Sequence, residues 1–311
     1  MSNAVIIKSL QEINEMKAHY QAHLSDKIPP GGVFSAKTSN CSITAYKSGK
    51  VLFQGAGSIA EAEKWGGTNA SGPSKKTVKK QTIQGNLPAN FENFSVLGSD
   101  EVGTGDYFGP MTVVAAYVRK EDIPLLKELG VKDSKSLNDE KIIEIAKLIK
   151  EVIPYSLLTL HTEKYNQLQK TGMSQGKMKA LLHNQALRHV LDKIAPTKPE
   201  AILIDQFAQE GVYYNYLKGQ PQVVRENVYF STKAEGIHIA VAAASILARY
   251  AFIQHFDKLS EKAGFKIPKG AGSQVDVAAA RLIKAKGKDV LPQFVKLHFA
   301  NTEKAFNLLK K

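Results

Sequence analysis

Two apolar runs that flank a glycine-rich segment with adjacent acids constrain the fold of this chain more than any other feature. Residues 94–97 and 111–118 have the length and composition of β-strands, and the Gly-Thr-Gly sequence at 103–105 indicates a tight turn between them. Asp100 and Glu101 stand side by side just before that turn. The pattern predicts strand, turn and strand, with two carboxylates where the first strand ends. Adjacent acids repel each other and disfavour a strand, so their placement indicates a bound cation.

Length and composition predict a soluble protein with room for one large domain or for a large and a small one. The chain has 311 residues, 43% of them hydrophobic. It shows no obvious apolar stretch of the roughly 18 residues that cross a bilayer, and its first residues do not resemble a secretory signal. Cys41 is the only cysteine, which excludes an internal disulfide and gives no support to a zinc site. We expect a cytoplasmic protein without a membrane partner, and nothing implies a protein partner.

The charge of the chain favours a polyanionic partner. The formal net charge is +13 and the pI is about 9.5. Nucleic acid is the polyanion that such an excess most often binds. A generally basic surface without a specific partner is the alternative that charge alone leaves open.

A change in composition divides the chain. Residues 66–80 are rich in Gly, Ser, Pro and Lys and have no hydrophobic periodicity, as in flexible linkers. We predict an N-terminal nucleic-acid-binding domain over residues 1–66, a flexible basic linker over 67–90 and a catalytic domain over 91–311. Residues 1–90 contain eleven lysines, no arginine and five acids, a net charge of +6. The small module therefore carries the denser positive charge.

The small module has the pattern of a sheet backed by helices. Apolar spacing predicts a helix over 9–24 and a short one over 59–65, and residues 42–54 predict a hairpin that turns at Ser48 and Gly49. Aromatic and lysine side chains on one sheet face can stack on bases and hold phosphates. Burial of the aromatic residues in the core is the alternative, since alternation does not tell which face is wet. The candidates for such a face are Phe34, Lys37, Tyr46, Lys50 and Phe53.

The larger module alternates strands and helices, as α/β folds do. Periodicity predicts helices over 122–129, 139–151, 174–194 and 234–259, and one or two more after residue 275. It predicts strands over 155–160, 200–204 and 223–229. No internal repeat is present.

Two further acids fall where they can join Asp100 and Glu101. Asp205 ends a short apolar strand, and Glu235 stands at the start of the predicted helix 234–259. Because α/β sheets bind ligands at the carboxyl ends of their strands, four carboxylates can converge there. Such a site suits Mg²⁺ or Mn²⁺, and two ions together promote phosphodiester hydrolysis. Taken singly, Asp205 is also explained as a turn former and Glu235 as a favourable charge at a helix N-terminus.

Two nucleotide-binding motifs are only partly matched by the sequence. The 103–105 turn lacks the third glycine and the following helix of a dinucleotide-binding fingerprint. Residues 172–177 are one residue short of a phosphate-binding loop. His238 lies one turn beyond Glu235, and we expect it to be packed or solvated. We expect Ser245 to pack or cap within its own helix.

The segment Asp100-Glu-Val-Gly-Thr-Gly-Asp-Tyr-Phe-Gly-Pro110 resembles the signature of type 2 ribonucleases H. Further segments match that family in the right order, over residues 94 to about 300: 130–137, 204–205, 233–235 and 242–248. Two departures from the ribonuclease HII pattern are Thr104, where that branch has arginine, and Glu235, where it has aspartate. Both departures, and the small N-terminal module, are similar to the ribonuclease HIII branch.

The resemblance implies an RNase H-like fold, a mixed sheet flanked by helices, with a small N-terminal α+β domain like the TATA-binding protein. It implies an endoribonuclease that hydrolyses the RNA strand of RNA/DNA hybrids by two-metal-ion catalysis and leaves 3′-hydroxyl and 5′-phosphate ends. The cofactor would be Mg²⁺, with Mn²⁺ as a substitute, and two ions would be present when substrate is bound. By similarity the catalytic metal ligands are Asp100, Glu101, Asp205 and Glu235. The expected substrate-binding residues are Gly103, Thr104, Gly105, Ser134 and Lys135.

Two rival functions remain open at this point. Within the enzymes, the rival is cleavage at a single ribonucleotide in DNA, as in ribonuclease HII, which Thr104 argues against. From another class, the rival is a non-catalytic nucleic-acid-binding protein. A binding protein has no need for four mutually repelling carboxylates, so a complete set of acids argues against it.

Overall fold

The computed structural model describes residues 3–29, 31–47, 49–66 and 87–310. The chain divides into two compact units, one before and one after residue 82. Most of the linker predicted over 67–90 lies outside the described residues, so its flexibility stays a prediction. Each unit is described by itself.

The N-terminal unit is a four-stranded antiparallel sheet with two helices. The strand order is β1-β4-β3-β2. Strand β1 was not predicted, whereas the predicted hairpin is confirmed as β3 and β4. The elements are β1 Asn3–Ile7, α1 Leu10–His19, β2 Gly32–Lys37, β3 Ser42–Tyr46, β4 Lys50–Gln54 and α2 Ser58–Glu63.

Because side chains alternate along each strand, the five candidate residues for nucleic-acid binding lie on two different faces of the sheet. Phe34 and Phe53 are completely buried in a core that also contains Ile13 and Met16 of α1. They are therefore core residues and do not lie on an open nucleic-acid-binding face. Lys37, Tyr46 and Lys50 alternate onto the opposite face of the sheet, because side chains along a strand point to the two faces in turn. Tyr46 is nevertheless buried, at 3% exposure, so of the five candidates only Lys37 and Lys50 are accessible from solvent.

The C-terminal unit is built on a five-stranded mixed sheet of order β7-β6-β5-β8-β9. Strand β5 is central: it pairs antiparallel with β6 and parallel with β8. The predicted mixed sheet is thereby confirmed. The strands are β5 Val96–Val102, β6 Met111–Val118, β7 Tyr155–Leu160, β8 Ala201–Asp205 and β9 Val228–Ser231.

Two long helices cover this sheet. Helix α8 packs on β5 and β6, and α6 packs on β5, β6 and β7. Gly98 permits the close approach of α8, because a Cβ there would lie 2.5 Å from the backbone nitrogen of Val241. The helices of the unit are α3 Ile123–Glu128, α4 Asp139–Ile149, α5 Thr162–Lys170, α6 Gln175–Ile194, α7 Glu210–Tyr216, α8 Ile239–Ala263, α9 Ser273–Lys286, α10 Leu291–Phe294 and α11 Asn301–Leu308.

Several predicted boundaries are wrong. Strand β9 begins at Val228 and not at residue 223, because Asn227 adopts a left-handed conformation that interrupts the run. Glu235 lies in a separate 3-10 turn, Ala234–Gly236, and α8 begins only at Ile239. Helices α5 and α7 were missed, and the tail holds three helices, α9 to α11.

Helix α8 bears on the membrane prediction. Within the described residues it is the one helix long and apolar enough to cross a bilayer, contrary to the expectation that no stretch qualifies. Most of its apolar segment is buried inside the unit. Packing on the sheet explains this apolar composition.

Candidate metal and nucleic-acid site

Three elements bring the four predicted acids into one electrostatic cluster. Asp100 and Glu101 lie within the last part of β5, Asp205 is the final residue of β8, and Glu235 lies in the 3-10 turn before α8. The parallel pairing of β5 with β8 places the ends of both strands at the same edge of the sheet. The charges of Asp205 and Glu101 act on Asp100, and those of Glu101 and Glu235 act on Asp205.

Asp100 experiences the strongest repulsion. Its side chain is buried, and burial together with the charges of Asp205 and Glu101 raises its pKa to about 8. Hydrogen bonds from Ser245 and from the backbone N–H of Glu101 act in the opposite direction. Ser245 therefore contacts a site carboxylate and does more than pack within α8. Without a cation, Asp100 holds a proton near neutral pH.

Glu101 lies on the opposite face of β5, because successive strand residues alternate. Its carboxylate contacts two residues of α6: Lys179 Nζ lies 2.9 Å from Oε1, and His183 Nε2 lies 2.9 Å from Oε2. Burial alone would raise the pKa of Glu101, but these two contacts outweigh it and hold the pKa below its ordinary value. His183 is completely buried and its Nδ1 atom lies 2.9 Å from the Ser99 hydroxyl oxygen.

Asp205 and Glu235 have different partners. The Asp205 carboxylate accepts a hydrogen bond of 2.8 Å from the backbone N–H of Ala234, yet burial raises its pKa above the ordinary value. Glu235 is buried and receives Lys135 Nζ at 2.5 Å and the Ser134 hydroxyl at 3.3 Å. Ser134 and Lys135 thus contact a site carboxylate, and the Lys135 side chain is 74% exposed, which leaves its charge accessible from solvent.

The donor chemistry of these residues fits a divalent cation. Carboxylate oxygens are hard ligands that Mg²⁺ and Mn²⁺ prefer. Burial and neighbouring carboxylates raise the pKa values of Asp100 and Asp205, and a bound cation would offset both effects. In the described part of the chain no three His, Cys, Asp or Glu side chains converge closely enough to form a metal site. Glu101 and Glu235 instead contact Lys179 and Lys135.

The Gly-Thr-Gly turn follows Glu101 directly. Gly103 has φ +93°, and a Cβ there would lie 2.3 Å from the carbonyl oxygen of Pro110, so only glycine fits. At Gly105 no atom lies within 4 Å of an added Cβ, which leaves the backbone open to an approaching molecule. The Thr104 hydroxyl contacts Met111 Sδ at 3.9 Å. Of these three residues only Gly105 is exposed, whereas Gly103 is buried and Thr104 is partly buried.

Sequence reasoning missed the polar residues that surround these acids. Lys179, His183 and Gln175 come from α6, whose sequence predicts a helix but carries no motif that assigns them to a site. His238 is packed, as expected: it is buried, its Nε2 atom lies 3.1 Å from the Phe94 carbonyl oxygen, and burial lowers its pKa to about 4.

Comparisons with known proteins agree with this architecture. The family model described as Ribonuclease HII matches residues 97–302, and a domain of unknown function, DUF3378, matches residues 3–78. Ribonuclease HIII of Bacillus mycoides (strain KBAB4) is 62% identical over 100% of both chains. Ribonuclease HIII of Bacillus cereus (strain ATCC 10987 / NRS 248) is 60% identical over the same share. The crystal structure of Bst-RNase HIII in complex with Mn²⁺ is 48% identical over 99% of both chains, with a TM-score of 0.71.

Proposed function

The chain belongs to the type 2 ribonuclease H family, within the ribonuclease HIII enzymes, and from this premise we propose that it hydrolyses the RNA strand of RNA/DNA hybrids. The products would carry 3′-hydroxyl and 5′-phosphate ends. We propose the same division as the sequence predicts: a nucleic-acid-binding domain over residues 1–66, a linker over 67–90 and a catalytic domain over 91–311.

One observation carries the proposal: four acids from three elements form one cluster in which burial and repulsion raise the pKa of Asp100 to about 8. Such an arrangement favours the binding of a cation, which offsets the negative charge that burial and repulsion disfavour. The metal ligands in this proposal are Asp100, Glu101, Asp205 and Glu235. The Mn²⁺ complex of Bst-RNase HIII supports a divalent cation, and we propose Mg²⁺ as the usual ion, with two ions present on substrate.

The proposed hydrolysis depends on positive charges at the site. Two divalent ions bound there would lower the pKa of the attacking water and neutralise charge on the scissile phosphate. Asp100 and Asp205 hold their carboxylates at the ends of rigid strands, which limits the reorganisation needed when charge develops. Lys135 pairs with Glu235 and brings a positive charge that substrate phosphate can meet.

Recognition of RNA would come from the turn. The 2′-hydroxyl distinguishes RNA from DNA, and it both donates and accepts hydrogen bonds. We propose that the backbone of Gly103, Thr104 and Gly105 contacts the ribose; at the exposed Gly105 nothing lies within 4 Å of an added Cβ, so its backbone can be approached closely. Ser134 and Lys135 would contact the substrate backbone, and the N-terminal domain would add phosphate contacts through its lysines.

The direct test compares three duplexes under one set of conditions. We expect cleavage of an RNA/DNA hybrid in the presence of Mg²⁺ or Mn²⁺, and no cleavage of double-stranded RNA or double-stranded DNA. Chelation of divalent ions should stop the reaction. Equal cleavage of double-stranded RNA would show that the enzyme does not select hybrids, and cleavage in the presence of a chelator would exclude the metal mechanism.

A further inference from the structure

The carbonyl oxygens of the turn are held by two side chains that lie outside the motif. Gln175 Nε2 donates a hydrogen bond to the Thr104 carbonyl oxygen at 3.1 Å. Lys296 Nζ donates to the carbonyl oxygens of Asp106 and Gly109, at 2.7 Å each. Both limbs of the turn are therefore fixed from the protein side.

The contact with Gln175 sets the direction of one peptide group. In a planar trans peptide the C=O and N–H bonds point in opposite directions. Because the Thr104 carbonyl points at Gln175, the N–H of Gly105 points away from it. Within the described residues no group accepts a hydrogen bond from that N–H, and nothing lies within 4 Å of a Cβ placed on Gly105. The N–H is thus available to a ligand.

The hydrogen bond from Gln175 to the Thr104 carbonyl oxygen is needed because residue 105 is a glycine. Gly105 has no Cβ to restrict φ, so the peptide between Thr104 and Gly105 can adopt either orientation at low energy. A donor beneath the Thr104 carbonyl selects one of the two. Without that donor, the N–H would be offered to substrate for only part of the time, and binding would weaken by that fraction.

Neighbouring residues hold the side chains of both donors, Gln175 and Lys296, in place. Gln175 is the first residue of α6, whose N-terminus is capped by Ser174, and its amide also donates to the hydroxyl of the buried Tyr165 at 3.0 Å. Lys296 is completely buried, and its neighbour Val295 forms a β-bridge with Phe108. Gln175 lies in the 172–177 segment that fails as a phosphate-binding loop.

We propose that Gln175 is a positioning residue for ribose recognition: it orients the Thr104–Gly105 peptide so that the Gly105 N–H faces the 2′-hydroxyl of the substrate, while Lys296 fixes the returning limb of the turn. This inference rests on the proposed reading of ribose by the turn. It states that the selectivity for ribose also depends on Gln175, a residue outside the motif.

The test measures the coupling between Gln175 and one 2′-hydroxyl. Binding of a hybrid is measured in a chelator, so that no cleavage occurs, with either ribose or 2′-deoxyribose at the nucleotide beside the scissile phosphate. The variant Gln175→Glu keeps the shape but removes the donor, and Gln175→Met removes the donor without adding charge. Gln167→Glu, an exposed position on α5, is the control for the added charge. Gln175→Lys restores a donor.

We expect the wild type to bind the ribose substrate about three- to tenfold more tightly than the deoxyribose one, as one hydrogen bond contributes. Gln175→Glu and Gln175→Met should lower this ratio to near one. Gln167→Glu should keep the wild-type ratio, and Gln175→Lys should recover part of it. In the cleavage assay, KM should rise in the two donor-free variants with kcat nearly unchanged, because the contact exists before the chemical step.

The outcomes distinguish the proposed recognition of ribose by the turn from the proposed role of Gln175. If the wild type itself binds both substrates equally, the proposed ribose reading by the turn is wrong. If the wild type discriminates and the two donor-free variants discriminate equally well, ribose reading stands and the role of Gln175 is refuted. A purely structural role would lower the affinity for both substrates alike and leave their ratio unchanged, which also refutes the proposal.

Discussion

The Nε2 atom of His183 lies 2.9 Å from Oε2 of Glu101, so a completely buried histidine on α6 contacts one of the four site acids. Lys179, one helical turn earlier, contacts the other oxygen of the same carboxylate. Glu101 therefore stays ionised in a buried place by means of two groups that do not belong to the acid cluster. In the proposed metal site, these contacts would make the affinity for metal dependent on α6.

Replacing Lys179 by methionine should change metal binding in a pH-dependent way. The substitution keeps the packing against the Phe207 ring but removes the ammonium that, together with the larger effect of His183, holds the pKa of Glu101 low. At acidic pH we expect Mn²⁺ affinity to fall roughly threefold, because loss of Lys179 raises the pKa of Glu101 and a proton then competes better with the cation. At about pH 8 affinity should be equal or tighter, since a competing cation is gone. Calorimetric titration at both pH values tests this, with Lys177→Met as the control; a uniform loss at both values would contradict it.

Asp100→Asn should abolish cleavage and preserve hybrid binding. The amide cannot supply a negative ligand, and a loss of several kcal/mol in transition-state stabilisation corresponds to at least a roughly hundredfold fall in kcat. Hybrid affinity should stay within about threefold, because the substrate contacts lie elsewhere. Asp257→Asn, an exposed position on α8, is the control. Cleavage by Asp100→Asn at the wild-type rate would remove Asp100 from the metal site.

Divalent cations should stabilise the protein more at alkaline than at acidic pH. Burial and the neighbouring acids raise the folded-state pKa of Asp100 from 3.8 to about 8. Its contribution to stability is thus present below pH 3.8 and is lost as the pH rises through about 8. A cation competes with that proton, so the rise in Tm on adding Mg²⁺ should be larger at about pH 8.5 than at about pH 6. Asp100→Asn should reduce the difference; an equal rise at both pH values in the wild type would argue against the cluster.

A duplex with a single ribonucleotide should be a poor substrate. The Thr104 side chain contacts Met111 and brings no positive charge to the phosphate beside an isolated ribose. We expect kcat/KM to be at least roughly tenfold lower than for a stretch of four or more ribonucleotides, the factor that one charge-assisted hydrogen bond contributes. Thr104→Arg should narrow the gap. Efficient cleavage of the single-ribonucleotide duplex in Mg²⁺ would instead support the cleavage pattern of ribonuclease HII.

Deleting residues 1–85 should weaken hybrid binding and flatten its salt dependence. The deleted segment carries eleven lysines and five acids. Each lost phosphate contact lowers the slope of log Kd against log salt by about 0.7–0.9. Residual cleavage should remain, because the acid cluster lies in the other compact unit. Unchanged affinity at low salt would show that the N-terminal domain does not bind the hybrid.

The part of the fold that local pattern encodes could be predicted from the sequence. Apolar runs and turn residues located β6 to β8, α3, α4 and α6, because those signals lie within a few neighbouring residues. The run at 94–97 marked only the start of β5, which continues through Asp100 and Glu101 to Val102 because it pairs with β6 along its whole length. The start of β9 was predicted five residues too early, because residues 223–227 also have the composition of a strand. The actual start is set by the left-handed conformation of Asn227 and by the pairing with β8. Short helices α5 and α7 are too brief to show a clear period.

The sequence by itself determined that Asp100 and Glu101 precede a glycine turn and that Asp205 ends a strand. Only the tertiary structure decided what each side chain contacts. Alternation along β5 directs Asp100 towards Ser245 on α8 and Glu101 towards His183 on α6, on opposite faces of the sheet. Partners separated by 82 residues or more meet through packing and strand pairing, for which no local pattern exists. The repulsion between the acids, and the donor that Gln175 places beneath the turn, are consequences of that packing.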